Sequence, residues 1–198
     1  ASLLWMESRH GVNRGRYHVL SVYLHLLQAS RPEVIAHLKN AAHKFTKTLT
    51  PKQTAEISLR AGKKAEWALG ELNALQQIYR RDQKFARNLR GSFAGAFGIP
   101  QFVPSSYLRW ARTRHKSASP DLNHTQDAIV SVAYYLKDNG WRSGKAKTHE
   151  KALLRYNNSH DYARAILRLA SRIDGAKRLP ASREKRPRSQ TGMKTGPQ

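Results

Sequence analysis

Glu7 is the first residue of this chain whose setting suggests chemistry. It follows the apolar run Leu3-Leu4-Trp5-Met6, and Gly11 stands four residues after it. An apolar lining disfavours an ionised carboxylate and raises its pKa. That is the condition for a general acid able to protonate a glycosidic oxygen near neutral pH. The same carboxylate would also serve as an ordinary helix-end Glu paired with Arg9 or Arg14.

Two further blocks carry reactive or ligand-binding types. Residues 91–106 hold Gly91, Gly95 and Gly98 among four aromatic or amide residues, Phe93, Phe97, Gln101 and Phe102. Glycines at this density let backbone approach something closely, either a ligand or another helix. Ser92, Gln101, Ser105 and Ser106 offer hydrogen bonds, and Phe93, Phe97, Phe102 and Tyr107 offer flat apolar faces, the two kinds of surface that hold sugars. A packing turn between helices accounts for the block equally well. The segment Tyr156-Asn157-Asn158-Ser159-His160-Asp161-Tyr162 places two tyrosines around amides at a break between helices. Its plainer reading is a linker with Ser159 as N-cap.

The elements that must position these groups are helices. Leu20, Leu24 and Leu27 recur on one face of Tyr17 to Gln28, and Val34, Ile35, Leu38 and Ala42 do so after Pro32, through about Phe45. Thr50-Pro51-Lys52-Gln53 combines a capping box with proline at the first helical position, opening a helix to about Tyr79 with a break expected at Gly62. Helices are also expected over 125–139, stopping at Gly140, over 148–156 and over 159–173. No alternating strand pair appears. The domain therefore spans 1–175, and the Lys/Arg/Pro-rich stretch 176–198 reads as a disordered basic tail.

The chain has 198 residues, 36 Lys and Arg against 13 acids, and a net charge of +23. Such an excess, spread along the chain, favours diffuse attraction to polyanions over sequence reading. The absence of cysteine excludes disulfides, thiolate zinc sites and Cys nucleophiles. No apolar run is long enough for a transmembrane segment, and no complete secretory signal is visible.

Taken in order, the blocks resemble the lytic murein transglycosylase B family. The resemblance rests on Glu7-Ser8-Arg9-His10-Gly11, on Gly91 to Ser106, on Asp127 to Trp141 and on Tyr156 to Tyr162, and it covers about residues 3–173. It implies a mainly helical, lysozyme-like (goose-type) catalytic domain with a helical insertion, acting on peptidoglycan glycan strands. It implies that Glu7 is the acid/base, that Ser92 and Gln101 flank the cleaved bond, and that Phe102 walls the sugar site. Tyr156 and Asn157 would lie close to the acid, and Tyr162 would be a further residue of the cleft. Members of the family have more chain before the catalytic Glu, including helices and an aromatic residue of the cleft; six residues precede Glu7 here.

Ordinary glycosidases need two carboxylates, and across the Glu7–Gly11, Gly91–Ser106 and Tyr156–Tyr162 cleft blocks Asp161 is the one further acid. A single carboxylate suffices if the substrate supplies its own nucleophile. The family does this with the 6-hydroxyl of N-acetylmuramic acid, giving a 1,6-anhydro product. Some members bind calcium through an acidic loop after the Pro-Ser-Ser segment. Here Arg112 to Asp121 is basic with one carboxylate, so no calcium site is expected, nor any catalytic metal or other cofactor. His10 takes an aromatic position, where it packs or tunes Glu7. The expected setting is the periplasm or cell envelope, with a monomer acting on peptidoglycan. Two alternatives stand beside this reading: a wall-binding, catalytically impaired member of the family, and a basic nucleic-acid-binding protein, for which no specific motif is visible.

Overall fold

The computed structural model describes residues 1–114 and 119–178. Its order is α1 (Ser2–Ser8), β1 (Tyr17–His18), α2 (Val19–Leu27), a 3-10 turn (Gln28–Ser30), α3 (Pro32–Ala42), α4 (Pro51–Arg81), α5 (Gln83–Asn88), β2 (Arg90–Gly91), α6 (Pro104–Trp110), α7 (Thr125–Asp138), α8 (Ala146–Tyr156) and α9 (His160–Arg178). The mainly helical class expected from periodicity is what is found.

The long helix α4 is the spine. Thr50 Oγ1 accepts from the Gln53 backbone N–H at 3.2 Å, and Gln53 Oε1 accepts from the Thr50 N–H at 2.9 Å, so the capping box is closed as its sequence demanded. The helix runs through Gly62 without a break. One glycine costs a helix about 1 kcal/mol, too little to interrupt 31 residues with a buried stripe that begins just before it. That stripe is Ala61, Ala65, Ala68, Ala74, Leu75 and Ile78. Its small residues let α2 lie close along it, with Tyr23 of α2 packed edge-on against Trp67.

Glu71 is the polar member of the same buried face, 5% exposed. Its two carboxylate oxygens accept from the Ser105 N–H at 2.9 Å and from the Ser105 hydroxyl at 2.7 Å. Val103, at the N-cap of α6, supplies no side-chain cap. Glu71 therefore satisfies the start of α6 from another helix, where a negative charge is favoured by the exposed N–H groups.

Three short elements carry too few turns for periodicity to reveal: α1, α5 and α6. The antiparallel pair, Tyr17 with Gly91 and His18 with Arg90, is two residues long on each side and has no alternation to read. It ties the start of α2 to the start of the glycine-rich block. Helix α9 continues to Arg178, past the boundary expected at 175. The rest of the expected tail, 179–198, lies outside the described residues, as do 115–118 of the basic loop.

Candidate active site

Glu7 sits in the last turn of α1, which ends on Arg9 in the left-handed conformation. The next residue, His10, is also left-handed, at φ 55°. The chain is thus turned sharply just after the acid, and Ser8 fixes the turn. Ser8 is 1% exposed; its hydroxyl donates to the Ile99 carbonyl at 2.7 Å and accepts from the Gly11 N–H at 2.9 Å. The end of α1 is thereby pinned to the glycine-rich block 91 residues away.

That block is closely folded on itself and on the core. Phe97 and Phe102 exchange backbone hydrogen bonds, and the Ile99 N–H donates to the Leu122 carbonyl at 2.8 Å. Gly95 has φ +80°, and a Cβ there would lie 2.4 Å from the Tyr23 ring. The close approach foreseen from the glycines is therefore to helix α2 at Gly95, to the Ala96 carbonyl at Gly91 and to Leu122 at Gly98. Ser92 organises the turn: its hydroxyl accepts from the N–H groups of Ala94 (3.3 Å) and Ala96 (3.2 Å). Gln101, at φ 53°, donates its amide to the Gly98 carbonyl at 2.8 Å and the Arg14 carbonyl at 3.2 Å. Ser92 and Gln101 line one hollow, together with Phe93 and Tyr17.

The third block closes over the acid from the far end of the chain. Tyr162, in the first turn of α9, donates its hydroxyl to Glu7 Oε1. Ser159 caps this helix, its hydroxyl accepting from the Tyr162 N–H at 3.2 Å. The Ser159 cap expected of a linker is present, and it sets where Tyr162 stands. Tyr156, at the end of α8, donates its hydroxyl to the Pro100 carbonyl, next to Ile99 and Gln101. Asn157 is exposed and marks the end of α8 in extended conformation.

The resemblance implied Tyr156 and Asn157 close to the acid and Tyr162 as another cleft residue; the hydrogen bond to Glu7 is made by Tyr162, while Tyr156 lies near enough for the Glu7 charge to raise its pKa. Phe102, expected as a wall of the sugar site, is instead 2% exposed and packed in the core, its ring tilted against Tyr135 at 5.8 Å and Tyr156 at 6.0 Å. It supports Tyr156 from beneath the surface. Leu3 and Leu4 point into the core, while Trp5 and Met6 are exposed. The apolar neighbours in sequence thus anchor the helix, and the polar partner of the carboxyl comes from 155 residues away.

Burial pushes the Glu7 carboxyl above its ordinary pKa, and the Tyr162 hydrogen bond opposes the shift. Burial and the Glu7 charge together raise the pKa of both Tyr156 and Tyr162, so both phenols stay protonated as donors. Among the described residues Glu7 has no ion pair; Arg14 instead reaches the Asn123 side chain at 3.2 Å. His10 stands 5.7 Å ring to ring from Trp5. Asp161 is paired with Arg164 at 2.5 Å and its side chain is 90% exposed.

Two contributors were not evident in the sequence: the Ser8 hydroxyl and the Pro100 carbonyl. Both act through long-range backbone contacts, and the adjacency of Ser8 to Glu7 is the one local signal for either.

A profile of the transglycosylase SLT domain matches residues 1–151. Membrane-bound lytic murein transglycosylase B of Escherichia coli (strain K12) is 41% identical over 90 residues, which are 46% of this chain and 25% of that protein. The chain therefore spans about a quarter of that relative's length. Among solved structures, the Escherichia coli lytic transglycosylase SLT35 in complex with bulgecin A superposes with a TM-score of 0.63 at 22% identity, covering 89% of this chain and 65% of that one. Soluble lytic transglycosylase SltB1 from Pseudomonas aeruginosa gives 0.65 at 22% identity, over 89% and 69%. SltB3 from Pseudomonas aeruginosa in complex with NAG-NAM-pentapeptide gives 0.61 at 20% identity, over 87% and 55%. These likenesses establish a shared lysozyme-like fold. With the profile running from residue 1 through residue 151 of 198, the chain belongs to the transglycosylase SLT domain family.

Proposed function

We propose that this chain is a peptidoglycan lytic transglycosylase that cleaves the β-1,4 bond between N-acetylmuramic acid and N-acetylglucosamine, with Glu7 as its single acid/base. The observation that carries the reading is a partly buried carboxyl with a raised pKa, held by a phenol donor at the end of a helix that Ser8 pins to Ile99 of the 91–106 block. Tyr162 occupies Oε1, which leaves Oε2 to carry the proton. Glu7 gives that proton to the glycosidic oxygen as the bond to the anomeric carbon breaks. The 6-hydroxyl of the same muramic acid then attacks that carbon, and its proton passes to the Glu7 carboxylate. The product is a 1,6-anhydro sugar, and no water is consumed. Tyr162 stabilises the carboxylate between the two transfers, when a buried charge is most costly. The strongly basic charge suits an anionic wall, and the setting is the cell envelope.

Digestion of purified sacculi by wild type and Glu7→Gln, with mass analysis of the released muropeptides, tests this. Wild type should release anhydro-muropeptides, and Glu7→Gln should lose about 10³-fold in rate, within the range for removing a general acid. Equal activity of the two proteins would remove Glu7 from the mechanism. Reducing ends that have gained water would replace the transglycosylase by a hydrolase.

A further inference from the structure

Residues 31–60 hold α3, the turn after it and the first part of α4, and none of them is buried. The buried stripe of α4 begins only at Ala61. Apolar side chains are present all the same. Leu38 is 44% and Leu59 58% exposed, and Val34, Ile35, Leu49 and Ile57 are half-buried. The two helices therefore stand off the core as an arm whose apolar groups face one another and the solvent. At its free end, in the turn between Ala42 of α3 and Pro51 of α4, Phe45 is 92% exposed. With Ala42, Leu49 and Ile57 it edges an open hollow of about 370 Å³.

The same end is basic. Lys44 and Lys47 stand in the turn beside Phe45, Lys39 in the last turn of α3 and Lys52 in the first turn of α4. The acids of this stretch, Glu33 and Glu56, are taken by Arg31 at 3.9 Å and Arg60 at 2.5 Å. Among the described residues the four lysines have no ion pair. A second copy of the chain would set four lysines against four. A soluble polyanion would engage the lysines and leave Phe45 in water. An anionic bilayer surface answers both features. The ring enters the boundary between headgroups and acyl chains, and the lysine stems lie along it with their ammonium groups on the lipid phosphates.

We propose that the α3–α4 turn docks this chain on anionic phospholipid, through Phe45 and the lysines at 39, 44, 47 and 52. No described helix is long and apolar enough to cross a membrane, so the contact made here is peripheral. None of these residues belongs to the site around Glu7, so the inference stands or falls apart from strand cleavage.

The test is co-sedimentation with vesicles of phosphatidylcholine alone and of equal parts phosphatidylcholine and phosphatidylglycerol, at physiological ionic strength. Wild type should bind the mixed vesicles and leave the zwitterionic ones. Phe45→Ala should weaken binding to mixed vesicles roughly tenfold, about 1.4 kcal/mol, and keep its affinity for inorganic polyphosphate. Lys44→Gln/Lys47→Gln should weaken vesicle binding by a similar factor. All three side chains are exposed, and unchanged melting curves verify the fold. The chain has no cysteine, so Phe45→Cys and Asn73→Cys each carry one environment-sensitive dye. On mixed vesicles the dye at 45 should shift to the blue, and the dye at 73, on the exposed side of α4, should not. Equal binding to both kinds of vesicle would overturn the proposal. So would Phe45→Ala binding mixed vesicles like wild type, or equal shifts of the two dyes, since either means adsorption by diffuse charge. A Phe45→Ala variant that lost polyphosphate along with vesicles would put a soluble polyanion at the turn in place of a bilayer.

Discussion

The Tyr162 hydroxyl donates to Glu7 Oε1 across 155 residues of chain, and that bond joins the first helix of the fold to the last. Burial raises the carboxyl's pKa and this hydrogen bond lowers it. The acid is therefore held between two opposed effects, of which burial is the larger.

Tyr162→Phe removes the opposing effect and leaves the burial. The Glu7 pKa should rise further, so the alkaline limb of the kcat/KM profile, where the protonated acid is lost, should move to higher pH. Meanwhile kcat should fall roughly 10- to 150-fold, because the carboxylate formed in the reaction loses a charge-assisted bond of roughly 1.5–3 kcal/mol. The pH–rate profile of strand cleavage checks both. A merely structural tyrosine would lower activity without moving the limb.

The raised pKa of Glu7 has a consequence for stability. The folded pKa lies above the ordinary value of 4.5, so the folded chain holds this proton more tightly than the unfolded one. Its contribution is fully present below the unfolded pKa and is lost as pH rises through the folded pKa. Once ionised, the partly buried carboxylate is a cost to the fold relative to its protonated form. Glu7→Gln keeps an acceptor for Tyr162 and removes that cost. Its Tm should exceed wild type by a few degrees at pH values above the folded pKa, and the gap should close below about pH 4 as both side chains become neutral. Melting curves across this range decide it; a gap independent of pH would contradict the burial argument.

Ser8→Ala deletes a buried hydroxyl that serves the Ile99 carbonyl and the Gly11 N–H. Leaving those groups unsatisfied should cost about 1–3 kcal/mol. Denaturant unfolding measures the loss. Because Ser8 sets where the end of α1 meets the 91–106 block, strand cleavage should fall at temperatures where the variant is still folded. Full activity in the folded variant would show that the turn after Glu7 needs no such anchor.

Much of the frame was legible in the chain itself. The capping box at Thr50 and Gln53 depends on neighbours three residues apart, and helical period marks where α2, α4 and α7 run, though not their buried faces: Leu20 and Leu24, read as one face of α2, are exposed, and Val19 and Tyr23 are buried in their place. The box and the period are local quantities, so reading them required no knowledge of the fold. The three blocks holding Glu7, Ser92 with Gln101, and Tyr156 with Tyr162 were equally visible as patterns.

Their mutual arrangement was decided by tertiary contacts alone. Whether Tyr156 or Tyr162 reached the acid depended on how α8 and α9 meet α1. The Ser159 cap and the Tyr156–Pro100 bond set that meeting. Phe102 went under the surface because Tyr135 and Tyr156 closed over it. The apolar run before Glu7 supplied half its residues to the core and left Trp5 and Met6 exposed. Sequence by itself determined which groups were present and which helices would carry them. Burial, which raises the pKa of Glu7, is a property of what packs around an atom, and residues more than a hundred positions away supply it.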